Sequence, residues 1–122
     1  MVDFKVIIAG TRDFNNYDLL AAHADKMLSI KKLDHRIVII SGGARGADKL
    51  GERYARERGY DLEVYPAKWE EYGKKAGYLR NRQMANNANA LIAFWDGKSR
   101  GTNHMINTAK YLNLQVSVVL YV

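Results

Sequence analysis

Three glycines come shortly after a run of large apolar residues at positions 37–40, from which Ser41 separates them. They lie within five positions of one another, and the sequence from Ala47 onward has the pattern of a helix. The first amides of a helix have no partner within it, and the positive end of the helix dipole lies there. A buried strand, a glycine turn and a helix start therefore predict a phosphate-binding loop, because backbone without a Cβ can approach an anion closely. The alternative is an ordinary turn between strand and helix. The predicted ligand-binding residues of this loop are Ser41, Gly42, Gly43, Ala44, Arg45, Gly46 and Asp48.

A second glycine-containing turn precedes the last predicted helix. Gly101 and Thr102 open this helix, and we predict Thr102 as its N-cap. Lys98 and Arg100 lie beside the helix start, which makes it a candidate for a second anion site. Asp96 could bind ribose hydroxyls or could only cap the turn. The predicted ligand-binding residues of this segment are Asp96, Gly97, Lys98, Ser99, Gly101 and Thr102.

A basic stretch between positions 72 and 95 contains lysines and arginines but no carboxylate. Arg80 shares a helix face with Met84, and a guanidinium group can bind phosphate through two parallel hydrogen bonds. Tyr78 could stack on a nucleobase. We therefore include Arg80 and Tyr78 among the predicted ligand-binding residues. The alternative is a solvent-exposed basic helix face.

Several classes of chemistry are excluded or disfavoured by residue type and spacing. The chain has no cysteine, which excludes disulfides, thiolate catalysis and cysteine-ligated metals. The three histidines lack metal-ligand spacing, so we predict no metal site. The expected ligand is a nucleotide or a nucleotide derivative, and no other cofactor is predicted. Ser41 lacks the G-x-S-x-G context of an activated nucleophile. The glycines match neither G-x-x-x-x-G-K-[ST] nor G-x-G-x-x-G, so they leave the class of nucleotide open.

The elements that position these residues alternate between strand and helix along the whole chain, which we predict to be one domain, 1–122. Strands are predicted at 4–9, 36–41, 61–65, 90–95 and 115–121, and helices at 17–32, 47–58, 78–87 and 102–113, with 67–77 the least regular stretch. This pattern predicts a three-layer Rossmann-like α/β domain with a five-stranded parallel sheet in the order 3-2-1-4-5. The turns after strands one, two and four then share one edge of the sheet, which adds Gly10, Thr11 and Arg12 to the predicted site.

The overall charge favours anionic partners. The formal net charge is +6 at pH 7, which is typical of proteins that bind nucleotides or nucleic acid. The N-terminus lacks a signal-peptide pattern and no apolar run reaches transmembrane length, so we expect a cytoplasmic protein without a membrane partner. The apolar residues at 118–122 could pair two subunits, which predicts a possible homo-oligomer.

Four sequence blocks, at 10–12, 41–48, 77–84 and 95–102, follow one another along the chain and are informative as a set. Together they resemble the SLOG superfamily, in particular its short YspA/YpsA-related branch, which is common in bacteria and their phages. The resemblance spans nearly the whole chain. It implies a Rossmann-like domain that binds nucleotides or nucleotide-derived ligands, often as a sensor, in the cytoplasm of a bacterium or of a phage's host. Relatives of this branch include the DNA-processing protein DprA and the LOG phosphoribohydrolases.

The resemblance to the LOG enzymes bears on catalysis. Residues 80–84 partly match the Arg-Lys-x-x-Met pattern of these enzymes, which split nucleoside 5′-monophosphates at the N-glycosidic bond. The position of their catalytic glutamate is Met105 here, and a thioether can neither stabilise an oxocarbenium ion nor relay a proton. We therefore expect a nucleotide-binding module that senses or sequesters its ligand. The alternatives are a hydrolase that uses another carboxylate, such as Asp96, and, ranked third, DprA-like binding of nucleic acid.

Overall fold

The computed structural model describes residues 1–121, which form a parallel five-stranded sheet with helices packed on both faces. The strands are β1 (Val2–Gly10), β2 (His35–Ser41), β3 (Asp61–Val64), β4 (Ala90–Trp95) and β5 (Gln115–Leu120). The helices are α1 (Tyr17–Lys31), α2 (Ala47–Arg58), α3 (Trp69–Tyr72), α4 (Ala76–Asn86) and α5 (Arg100–Tyr111), and a 3₁₀ turn at Gly73–Lys75 connects α3 to α4.

The strand order is β3-β2-β1-β4-β5, and each neighbouring pair is parallel. This order confirms the predicted Rossmann-like α/β fold. The chain leaves the central strand β1 for β2 on one side and later crosses to β4 on the other. The crevice for a ligand is therefore expected beyond the carboxyl ends of β1, β2 and β4, where the direction of winding reverses.

Side chains of β1 alternate between two apolar layers, as the pleat of a strand requires. Val6 and Ile8 pack in the layer formed with α1 and α2, whereas Ile7 and Ala9 pack in the layer formed with α4 and α5. Because both faces of the sheet are covered, the central strands are apolar at almost every position rather than at every second one. The two layers pack on both faces of the strands from whose carboxyl ends the loops extend.

The predicted boundaries differ from the structure by at most two residues, and the largest differences are at the start of β1, the start of α4 and both ends of α5. α5 begins at Arg100, and its N-cap is Ser99, whose Oγ accepts a hydrogen bond from the amide of Thr102 at 3.4 Å. The prediction of Thr102 as the N-cap is wrong, and its hydroxyl instead donates to Ser99 Oγ at 3.1 Å. α4 begins at Ala76 rather than at 78. The stretch predicted to be least regular contains α3 and the 3₁₀ turn.

β5 forms one edge of the sheet and ends at Leu120. Leu120 and Val118 are both exposed along this edge, Leu120 the more strongly. Subunit pairing through this strand stays a prediction, and Val122, the last residue of the predicted pairing segment, lies outside the described residues. No helix within residues 1–121 is long and apolar enough to cross a membrane.

The amino-terminal ends of three strands are joined by one arginine. Arg36, near the start of β2, donates from Nε to Asp3 Oδ1 at 2.9 Å and from Nη2 to Asp3 Oδ2 at 3.0 Å. Its Nη1 donates to Asp61, the first residue of β3. These side chains are between about a third and a half exposed, so each pair alone contributes little, but the fork on Asp3 fixes the geometry of the network. The network lies at the edge opposite the predicted site.

Candidate functional site

A cavity of about 480 Å³ opens at the carboxyl edge of the sheet. It adjoins a second hollow of about 330 Å³, and the two share Arg12, Ala44, Arg45, Trp69 and Arg80. The larger cavity is bounded by the loop after β1, the loop between β2 and α2, helix α4 and the start of α5. The turns that the sequence predicts at one edge therefore do meet around a common space.

Thr11 joins the loop after β1 to the end of β4, to the turn that follows β4 and to the start of α2. Its amide donates to the carbonyl oxygen of Phe94 at 2.9 Å, and its Oγ1 accepts from the amide of Asp96 at 3.1 Å. Its carbonyl oxygen accepts from the amide of Ala47, the first residue of α2, at 3.4 Å. Gly46 makes this approach possible because a Cβ there would lie 2.4 Å from the carbonyl oxygen of Arg12, and its φ of +81° suits glycine.

The loop between β2 and α2 uses several of its amides within the chain. The amide of Gly43 donates to Ser41 Oγ at 3.0 Å, and the amide of Ala44 donates to Asp48 Oδ2 at 3.1 Å. The amide of Ala47 is bonded to Thr11, as described above. Three amides of the predicted phosphate-binding loop and of the helix start after it are therefore already bonded within the chain. Any anion that binds here must share or replace those bonds.

Ser41 lies beneath the loop rather than on the wall of either cavity. Its side chain is fully buried, and Oγ donates to Glu52 Oε2 at 2.7 Å. The same oxygen accepts the amide of Gly43, so Ser41 connects the loop to α2. Its side chain supports the loop instead of lining the cavity, and a role of Ser41 in ligand binding stays a prediction.

Asp48 lies on the cavity wall with only 6% of its surface exposed. Burial raises the pKa of its carboxyl group to about 6, against the opposing effects of the Ala44 amide and the Arg80 guanidinium. A strongly shifted carboxyl group in a cleft is typical of functional sites. The sequence predicts Asp48 as a site residue but indicates neither its burial nor its bond to Ala44.

Arg80 projects from α4 toward the loop between β2 and α2, residues 42–46, which we call the glycine loop. Its Nη1 donates to the carbonyl oxygen of Gly42, and its Nε donates to Asn81 Oδ1 at 3.1 Å. A Cβ on Gly42 would lie 2.4 Å from Nη1, so glycine is needed for the guanidinium to lie this close. Burial lowers the pKa of Arg80, and the charge of Asp48 opposes that effect. The guanidinium is therefore partly desolvated, which strengthens its attraction for an anion.

The opposite wall of the cavity combines aromatic and amide side chains from α4 and α5. Tyr78 stacks on His104 with ring centroids 4.3 Å apart, and burial lowers the pKa of His104. The buried Asn81 places its Nδ2 3.2 Å from His104 Nδ1 and 3.3 Å from the carbonyl oxygen of Gly101. Met105 also lines this wall. Asn81 is missing from the predicted site, although its spacing of four from Gly77, another cavity residue, places both on one helix face.

The predicted site residues divide into those on the cavity walls and those away from them. The walls of the two hollows include Gly10, Thr11, Arg12, Gly42, Gly43, Ala44, Arg45, Asp48, Tyr78, Arg80, Ser99, Gly101 and Thr102. Gly46 supports the loop from behind, at its contact with Arg12. Asp96, Gly97 and Lys98 form a turn outside both walls, in which Asp96 Oδ1 accepts the amides of Lys98 at 2.8 Å and Ser99 at 2.9 Å. Of the two roles considered for Asp96, the structure shows the turn cap.

Within residues 1–121, no three carboxylates or histidines lie close enough together to hold a metal ion. The cations on the walls of the two hollows are Arg12, Arg45, Lys74 and Arg80, and the carboxylates there are Asp13 and Asp48. The excess of positive charge suits a ligand that carries more than one negative charge.

The sequence of residues 4–72 matches the model of the YspA, cpYpsA-related SLOG family. The chain belongs to this family. The Gene 61 protein of Mycobacterium phage D29 is 35% identical over 119 residues, and the match covers 92% of this chain and 93% of that protein. Family membership confirms the resemblance inferred from the four sequence blocks.

Two solved structures are similar in fold. DNA processing protein A (DprA) from Streptococcus pneumoniae gives a TM-score of 0.71 at 18% identity, with 99% of this chain matched to 51% of DprA, so the chain spans about half the length of that protein. The protein TM1055 gives a TM-score of 0.65 at 19% identity, with 94% of this chain and 72% of that chain covered. At these identities the likeness shows the shared fold.

The matched family region ends before α4 and α5, which form the other part of the cavity wall. Residues 4–72 include the loops after β1 and β2, whereas Tyr78, Arg80 and Thr102 lie beyond it on α4 and α5. The loop after β1, the loop between β2 and α2, and Trp69 on α3 are therefore the parts of the cavity wall that fall within the family match.

Proposed function

We propose that this SLOG-family chain binds a nucleotide or nucleotide-derived ligand in the 480 Å³ cavity, and that it acts as a sensor or a sequestering module. The observation that carries the proposal is the convergence of the Arg12 and Arg80 side chains with the glycine loop on the same space. The volume lies within the range typical of sites for small ligands.

The phosphate end of the ligand is assigned to the side of the cavity where Arg12 and Arg80 meet the loop. Arg80 is partly desolvated and already oriented by its bond to Gly42, so it loses little freedom when it binds an anion. The start of α5 adds a second attraction, because a helix N-terminus favours negative charge. Gly101 leaves open space there, since a Cβ at this position would meet no atom within 4 Å.

The base end is assigned to the aromatic side of the cavity. Tyr78 is 47% exposed above His104, and Trp69 is 50% exposed on the wall formed by α3. Flat aromatic faces of this kind bind nucleobases by stacking and tolerate different bases. This arrangement supports recognition of the nucleotide as a whole rather than of phosphate alone.

Ligand binding without cleavage is favoured by the two positions that the sequence singles out for catalysis, Met105 and Asp96. Met105 lines the cavity, and Asp96, the alternative carboxylate for hydrolysis, caps its own turn outside the cavity. Neither side chain supports attack on a glycosidic bond. These two side chains support the assignment as a binding module, and an assay for release of free base tests it directly.

The decisive experiment compares Arg80→Gln with Arg82→Gln, which lies on the same helix but is exposed and off the cavity walls. AMP, ADP, ADP-ribose, cyclic dinucleotides and inorganic phosphate are screened by thermal shift, and the best compound is measured by calorimetry. A ligand at a hundred times its Kd adds about 2.7 kcal/mol to the free energy of unfolding. We expect Arg80→Gln to weaken binding about tenfold or more and Arg82→Gln to change it less than twofold.

Two controls separate this proposal from its alternatives. Adenosine without phosphate should stabilise the protein far less than AMP, and equal stabilisation would contradict the phosphate assignment. Release of free base from nucleoside monophosphates by the wild type would make the protein a hydrolase. Binding of single-stranded oligonucleotides that is tighter than binding of any nucleotide, and that falls steeply with salt, would instead support a nucleic-acid function.

A further inference from the structure

We propose that Asp48 is the internal counter-anion of this cavity and that an anionic ligand binds together with a proton on Asp48. The inference rests on the proposed function, because it takes the anionic group of the ligand to lie beside Arg80. It assigns to Asp48 a role in determining which charge state of the site accepts a ligand.

The geometry places a carboxylate where the glycine loop would otherwise offer a donor to a phosphate. Asp48 Oδ2 accepts the amide of Ala44 at 3.1 Å, and a Cβ on Gly42 would lie 2.8 Å from the same oxygen. The residue is almost fully buried but lies on the cavity wall. A ligand anion that enters the loop therefore approaches a resident negative charge at close range.

Charged groups from three elements act on this carboxylate. Arg80 on α4 and Arg12 after β1 favour its ionised form, whereas Glu52, one turn along α2, favours the protonated form. Glu52 is itself buried, accepts the Ser41 hydroxyl at 2.7 Å and lies 3.4 Å from Lys49 Nζ. Because these effects oppose one another, one more negative charge nearby shifts the Asp48 carboxyl toward its protonated form.

Proton uptake would change Asp48 from a competitor into a partner of the ligand. An ionised carboxylate only accepts hydrogen bonds, but a protonated one donates through its hydroxyl group. The proton then removes the repulsion and supplies a donor to a ligand oxygen. The positive charges of Arg12 and Arg80 are then no longer balanced by Asp48 and act on the ligand. The ligand class that fits is an anion with oxygen acceptors, such as a phosphate or sulfate group.

The test uses inorganic sulfate, whose own charge does not change between pH 5.5 and 8.5. Sulfate is titrated calorimetrically at pH 7 in two buffers of different ionisation enthalpy, which gives the number of protons taken up on binding. The wild type should take up a substantial fraction of one proton, and its Kd should weaken about five- to twentyfold between pH 5.5 and 7.5. Asp48→Asn keeps an oxygen that can accept the Ala44 amide, and its Kd should change less than twofold over the same range.

Matched variants identify the titrating group. Asp13→Asn removes the other carboxylate on the cavity wall, whose side chain is 89% exposed, and should keep the wild-type pH dependence. His104→Asn removes the nearby imidazole and should also keep it. Loss of the dependence in His104→Asn, or its persistence in Asp48→Asn, would overturn the inference while leaving the proposed function intact. Absence of sulfate and nucleotide binding in wild type and variants alike would overturn both.

Discussion

Tyr78 and His104 stack with their ring centroids 4.3 Å apart and their planes 26° from parallel. The pair joins α4 to α5 at the cavity, and Asn81 beneath it contacts His104 through Nδ2. One face of the Tyr78 ring is thus fixed against the protein. The other part of this half-exposed side chain remains available to a planar ligand.

Removal of the tyrosine ring should separate recognition of the base from recognition of the phosphate. We expect Tyr78→Ala to weaken AMP binding by about 1–2 kcal/mol, because the stacking surface for the base is lost. Binding of inorganic phosphate should stay within twofold. Tyr111→Ala, on the exposed part of α5, is the control and should change neither affinity. Calorimetry of both ligands checks this, and an equal loss for AMP and phosphate would argue against base stacking.

Charge at position 48 should cost the protein stability at neutral pH. Because the folded-state pKa is about 6 and the ordinary value is 3.8, folded molecules hold a proton at Asp48 where the unfolded chain has lost it. The contribution of this group is greatest below the lower value and declines as the pH rises toward 6. Asp48→Asn should therefore raise the free energy of unfolding at pH 7.5 by on the order of 1–2 kcal/mol. Urea denaturation at pH 7.5 and 4.5 should show a smaller difference at the lower pH, and an equal difference at both would refute the assignment.

The contact between α1 and α2 should show the opposite pH dependence. The buried Tyr54 donates its hydroxyl to Asp25 Oδ1 at 2.6 Å, and Arg58 donates to both oxygens of Asp25 at 3.0 and 2.8 Å. Arg58 first, and then Tyr54, hold the pKa of Asp25 below its usual value, so the stabilisation is present above that value and is lost as the pH falls through the folded-state pKa. Asp25→Ala should lower the free energy of unfolding by about 1–2 kcal/mol at pH 7. The exposed Lys26→Ala is the control, and a deficit that persists undiminished at pH 3 would contradict this account.

Alanine substitution at two glycines should give contrasting results. Gly46→Ala forces a Cβ to within 2.4 Å of the Arg12 carbonyl oxygen at a φ of +81°, so we expect a loss of at least about 2 kcal/mol in stability. Gly101→Ala meets open space in the first turn of α5 and should be neutral or slightly stabilising. Thermal and urea unfolding of the two variants checks this, and similar stability for both would show that the loop relaxes around Gly46.

The sheet and the edge that carries the site could be predicted from local pattern, for reasons visible in particular residues. Apolar runs such as 37–40 are typical of strands buried on both faces, and Gly59 ends α2 in the left-handed conformation that only glycine adopts readily. Asn16 caps α1 by accepting the amide of Leu19, as its residue type indicates. Signals of this kind act within a few residues, so they can be read from sequence.

The details of the site depend on contacts between residues far apart in the chain, which local pattern does not contain. The contact of Arg80 with Gly42 joins positions 38 apart, and nothing near either residue indicates it. The bond of Ala44 to Asp48 is local, but it competes with the anion-binding role predicted for the same amide. The N-cap of α5 is Ser99 and not the predicted Thr102, because the turn at Asp96 holds Ser99 in the capping position. Such choices between alternatives that are locally similar are settled by packing.

The network around Arg36 aligns the strands at one end of the sheet, whereas the loops that surround the cavity lie at the other end. Asp3 and Asp61 are joined there through side chains that take no part in the cavity, so the strands are registered independently of the loops at the other end. A turn such as 96–98 should accept exchanged residues or altered length with little change to strand alignment. Libraries that vary the loops while keeping Arg36 and its partners should therefore yield a high share of folded proteins.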